Sequence, residues 1–166
     1  MKPTGLPPLI AEIIGDSVVW QRLEGIDYEM LGYFLSCHLI IEHYLDELLK
    51  ICHPSLDWNA ARQTFGQKVA LLSNFKISEK YDCIPTIKHM NSLRNKISHN
   101  IEFKIELEDL LPLSQHIAKA TDGKGELSAS PKAILEQFTT MTCSLVAGYI
   151  SGRVSVRAKH TKHTRK

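Results

Sequence analysis

The sequence has no Cys-x-x-Cys pair, no His-Glu-x-x-His, no phosphate-binding glycine loop and no paired nucleophile and base. Zinc-ribbon, zinc-protease, P-loop and triad chemistry therefore find no support in it. Its four cysteines, Cys37, Cys52, Cys83 and Cys143, are widely spaced. That predicts free thiols in a reducing cytoplasm, with no metal and no cofactor. The first residues carry one lysine and three prolines but no long apolar run, so neither secretion nor a membrane span is expected. Internal repeats are absent, strand signals are few, and no spaced aromatics form a stacking platform.

What is present is a chain of 166 residues with the composition of a globular protein, long enough for one domain with a real core. Charge is unevenly spread. From Arg153 to Lys166 there are six Lys/Arg, two histidines and no acid. The remainder holds 20 − 6 = 14 basic against 18 acidic residues, so the body is near −4 and the tail +6. Residues 153–166 read as a disordered, solvated tail. Arg153 and Arg157 are candidates there for salt-sensitive contacts to RNA phosphates.

The pattern predicts an all-α fold. Residues 1–26 form an N-terminal helical arm, with Leu6-Pro7-Pro8 opening a helix and Gly15-Asp16-Ser17 closing it. A four-helix bundle then covers 27–152. Its first helix runs from about Asp27 to Ile51, with the stripe Leu31, Leu35, His38, Glu42, Leu45, Leu49 and Cys52 facing inward. The next covers Trp58 to Ser73, capped by Ser55 or Asp57, with Gly66 marking a close helix approach. The third runs from Asp82 or Ile84 to Ser98. Residues 101–106 alternate as an extended segment would, and a helix over 107–120 is interrupted at Pro112. The last begins at Ser130-Pro131 and carries Ile134, Phe138, Met141, Leu145 and Tyr149 inward. Gly148 and Gly152 read as close-packing positions, and Gly152 as its end.

Chemistry concentrates in Leu93-Arg94-Asn95-Lys96-Ile97-Ser98-His99-Asn100. Each residue of an ideal helix turns about 100°, so Met90, Leu93, Ile97 and Ile101 fall within about 60° and form the apolar face. Arg94 sits on its edge. Asn95 and His99, four apart, share the opposite side and can touch, the amide fixing the tautomer of the imidazole. Arg94 and His99 lie roughly 140° apart, too far round for a tight pair on one straight helix. Two readings stay open for Glu42. It is either satisfied within the core, by His38 or a neighbouring helix, or it orients Arg94 across the bundle. Lys68 and Lys96 are solvated charges by default, with contact to RNA phosphate as the alternative. Plain capping chemistry also accounts for the stretch, since Arg and His favour helix C-termini and Asn100 suits a left-handed cap.

Arg94-Asn95-x-x-x-His99 resembles the Arg-x(4–6)-His motif of the HEPN superfamily, including the polar residue after the arginine. Its setting, after a long helix containing Leu45-Asp46-Glu47-Leu48-Leu49 and after Thr64–Val69, resembles a HEPN domain over roughly 27–152. The resemblance implies a helical bundle that dimerises with two motifs facing each other. It implies a metal-independent endoribonuclease with a toxin or antiviral defence role and Arg94, Asn95 and His99 as catalytic residues. Glu42 and Ser98 support them. A cognate antitoxin, nucleotidyltransferase-like, is an implied partner. Other members of the superfamily are non-catalytic modules that bind a protein or a nucleotide signal.

Overall fold

A computed structural model describes residues 10–20, 26–100, 103–124 and 130–163. These residues are mostly helical, with one two-stranded sheet. Strands β1 (Ile10–Ile14) and β2 (Ser17–Trp20) pair antiparallel. The helical arm expected here is thus a hairpin where it is described. Gly15, at φ +59°, opens a two-residue turn between the partners Ile14 and Ser17. The flanking Ile13, Ile14, Val18 and Val19 are β-branched and stiff, which favours strand over helix once that turn is available. All four are exposed.

Helix α1 spans Tyr28–Cys52, where Asp27 caps it by accepting from the Met30 N–H at 2.9 Å. Its buried face is rotated from the expected stripe. Phe34, Ile41, Leu45, Leu48 and Leu49 are fully buried, whereas Leu31, Leu35 and Glu42 lie at the edge. His38 alone of the polar pair is buried. The single helix expected over 58–73 is broken in two. Asp57 accepts from the Ala60 N–H and starts the single-turn α2 (Trp58–Ala61). Arg62, at φ +40°, then stops it. Helix α3 (Phe65–Leu71) restarts on a capping box in which Thr64 and Gln67 bond each other's backbone N–H. A Cβ on Gly66 would meet Asn91 Nδ2 at 3.7 Å, an ordinary contact, so no close approach demands glycine there.

Helix α4 (Ile84–His99) buries Ile87, Met90 and Leu93 completely and Ile97 in part, the face read from the sequence; Ile101 lies outside the described residues. Residues 103–106 are irregular rather than a strand. Pro112 does not interrupt a helix. It sits in the first turn of α5 (Leu111–Ala120), where a missing N–H costs nothing. Helix α6 spans Pro131–His163 and does not end at Gly152. Its backbone carries most of the expected tail as helix, and neither Gly148 nor Gly152 has anything packed on it. Leu135, Phe138 and Val146 give its core face.

Helix α6 packs along α1 more extensively than any other two helices meet, and α5 lies against both α6 and α4. Helix α3 wedges between α1 and α4. That wedge positions the residues of interest. All four cysteines are free, and burial pushes the Cys83 and Cys143 thiols up to about 11. Among the described residues no helix is long and apolar enough to cross a membrane, and no three His, Cys, Asp or Glu gather as a metal site.

Candidate functional site

The buried face of α4 fixes where its polar residues go. With Met90 and Leu93 at zero exposure, Arg94, Asn95, Lys96, Ser98 and His99 must all point outward, and each is exposed. Ser98 spends its hydroxyl on its own helix, donating to the Arg94 carbonyl at 2.9 Å. The helix ends at His99. Asn100 caps it with an extended backbone (φ −139°) rather than the left-handed one expected, its N–H reaching the Lys96 carbonyl. No hydrogen bond joins Asn95 to His99.

Helices α1, α3 and α4 enclose a groove of about 600 Å³, lined among others by His38, Glu42, Phe65, Asn91, Arg94 and Asn95. Arg94 and Asn95 thus meet Glu42 as neighbours, whereas His99 lies beyond the groove at the helix end. Glu42 does not orient Arg94. It accepts from Lys68 Nζ at 2.8 Å, and Asp46 flanks the same ammonium at 2.8 Å. The expected pairing of Glu42 is therefore with a neighbouring helix, α3. Lys68 is mostly buried and held by two carboxylates. Burial opposes its charge, but Asp46 and Glu42 overcome that and hold its pKa above the ordinary lysine value. It is an internal counter-ion and not an open phosphate contact.

Arg94 has no ion-pair partner among the described residues. Its neighbour Glu42 is bonded instead to Lys68, an ammonium it shares with Asp46, and the guanidinium lines the groove with its donors uncommitted.

His38 forms part of the groove wall at 4 % exposure, its ring centroid 4.0 Å from that of Phe65. Its Nε2 is buried without a hydrogen-bond partner among the described residues. Burial pushes its pKa below the ordinary histidine value; Glu42 and Asn91 push it back up, and Arg94 pushes it further down. Burial thus favours the neutral ring. His116 is a second such histidine. It lies against Phe138 with Nε2 unpartnered, and its pKa falls through burial and Lys119 against an opposing effect of Asp82.

The remaining candidates are dispersed. Lys96 Nζ stands 5.8 Å from the Phe103 ring. Arg153 folds back on Tyr149, its Nε donating to the phenol oxygen at 2.9 Å. The side chain of Arg157 lies outside the described residues.

Compared with protein-family models, with curated proteins and with solved structures, the chain matches none.

Sequence reasoning passed over Asn91. It stands one turn before Arg94 and Asn95, and that i, i+3, i+4 spacing places all three on one side of α4. The other signal was His38 and Glu42 in mid-stripe, a polar pair that marks where α1 turns from core to groove.

Proposed function

We propose that this protein is a HEPN-type, metal-independent endoribonuclease whose site is shared by two copies of the chain in a homodimer. The observation that carries the reading is the uncommitted guanidinium of Arg94 at the edge of an open groove, with Glu42 already satisfied by Lys68. A free, rigidly based arginine suits a phosphodiester, whose two non-bridging oxygens match its fork. The motif Arg94-Asn95-x-x-x-His99 supports the same chemistry, and the exposed His99 is free to meet a substrate.

RNA brings its own nucleophile, the 2′-OH. The imidazole of His99 takes that proton as the 2′-oxygen attacks phosphorus. Arg94 of each copy stabilises the charge gathering on the phosphorane oxygens. The bond to the 5′-oxygen breaks, and the second copy's histidine, entering protonated, supplies the proton that oxygen needs. The products are a 2′,3′-cyclic phosphate and a 5′-hydroxyl. No step calls for a metal, because proton transfer and charge neutralisation are both supplied by side chains. Asn95 orients the phosphate or the histidine from the next position on α4. A toxin or defence role with a cognate antitoxin belongs to this reading.

Labelled single-stranded and structured RNAs incubated in EDTA test it. Wild type is expected to leave fragments ending in cyclic phosphate. His99→Ala is expected to lower the rate by about 100-fold or more, and Arg94→Ala by a similar factor, with unchanged circular dichroism. Undiminished cleavage by either variant removes that residue from the mechanism.

One observation favours a second reading, a non-catalytic HEPN module that binds a protein or nucleotide signal. Within one chain His99 lies outside the groove that Arg94 lines. Such a module binds its partner equally well as wild type and as His99→Ala, and neither cuts RNA.

A further inference from the structure

We propose that the groove over His38 receives one unpaired nucleobase of the RNA, with the adjoining phosphate on Arg94. This rests on the ribonuclease reading and adds which RNA the site accepts.

Four features of the groove converge. Its volume, about 600 Å³, lies within the range of small-molecule sites, so a heterocycle and part of its sugar fit. Leu39, on its wall, leaves 62 % of a large apolar side chain in water, and Leu35 continues that wall. A flat ring laid there covers it. Asn95 presents a full amide, donor and acceptor, and Asn91 the part of its amide not engaged with the His38 ring, which together make the pattern that reads a base edge. His38 is buried in the wall with Nε2 unpartnered, and a buried polar nitrogen in that state calls for a ligand or a water. Arg94 closes the row, one turn along α4 from Asn91, and places a phosphate beside the base.

Charge agrees with this occupant. Lys68 offsets one of the two charges of Glu42 and Asp46, the acids of α1 nearest the groove, and Arg94 offsets the other, so the groove as a whole is close to neutral and the uncommitted guanidinium is its local positive point for a phosphate. Geometry excludes a paired helix. In duplex RNA the base edges are engaged and stacked, and only an unpaired nucleotide can turn its base outward into a groove.

The test uses the full chain and two 2′-O-methyl RNAs of one sequence, one unpaired and one in a duplex. The methyl group blocks the nucleophile, so binding is read by fluorescence anisotropy without cleavage. Wild type is expected to bind the unpaired strand about tenfold more tightly than the duplex. Gly66→Leu puts a side chain beside Asn91, in a helix that prefers leucine to glycine. It is expected to erase the difference while leaving duplex affinity within about twofold. Leu39→Ala, which removes the apolar wall at an exposed position without adding charge, is expected to do the same. An abasic nucleotide in the unpaired strand should match the effect in wild type. Equal affinity of wild type for the two RNAs overturns the proposal, as does a preference that survives both substitutions. If wild type cleaves RNA yet shows no preference, the nucleobase site fails and the ribonuclease reading stands. If wild type binds neither RNA, the nucleobase site falls, and cleavage of the unmodified strand decides the ribonuclease reading separately.

Discussion

Lys68 shows how a single residue sets the character of a site it does not itself serve. Its ammonium holds Glu42 and Asp46, and this leaves Arg94 without a carboxylate to satisfy. Lys68→Met strands two partly buried acids and is expected to cost about 1–3 kcal/mol in urea denaturation. It is also expected to weaken RNA binding, because Glu42 then becomes available to Arg94. Adding Glu42→Gln to Lys68→Met should restore most of that binding. A double variant as weak as the single one shows that Lys68 contacts RNA directly. His38 and His116 act on stability through pH. Both have folded pKa values below the unfolded value near 6.5, so the unfolded chain takes up their protons first. Their contribution is complete above about pH 6.5 and is lost as pH falls through the lower folded values. Unfolding free energy measured from pH 7.5 to 5 is expected to fall less steeply in His38→Gln/His116→Gln than in wild type.

Among the elements, α3 is the shortest that matters. It has seven residues, too few to persist alone, and it forms one wall of the groove. Its start rests on the Thr64–Gln67 capping box. Thr64→Ala is expected to cost about 1 kcal/mol in urea denaturation and to speed amide exchange across α3 more than across α4. Equal loss of protection in both helices would place the cap's effect on the whole fold. Periodicity carried α1, α4 and the start of α6 because each buries a long apolar face, and burial dominates local preference there. It failed at short range. The hairpin turns on Gly15, and the break at Arg62 on one backbone angle, neither of which a period of 3.6 registers. The outward placement of Arg94, Asn95 and His99 was legible from one helix. The groove was not, since Glu42, Phe65 and Asn91 meet only when three helices pack.

At the scale of the molecule, four of the six basic residues from Arg153 onward, Arg153, Arg157, Lys159 and Lys162, fall within α6, which runs 33 residues to His163, and Arg165 and Lys166 lie outside the described residues. Removing residues 153–166 is expected to flatten the slope of log affinity against log salt for RNA while leaving cleavage chemistry intact. An unchanged slope would confine phosphate contacts to the groove. The pairing of α1 with α6 has a different consequence. Lys132 on α6 bonds Glu29 on α1 across a separation of 103 residues, and the same two helices share the largest interface. While a ribosome is making the chain, the face of α1 that packs on α6 stays uncovered until α6 has emerged, although α3 and α4 can already meet α1 elsewhere. The nascent protein is therefore sticky for most of its synthesis, and a stalled or truncated product ending near residue 130 is a substrate for chaperones and proteases rather than a stable fragment.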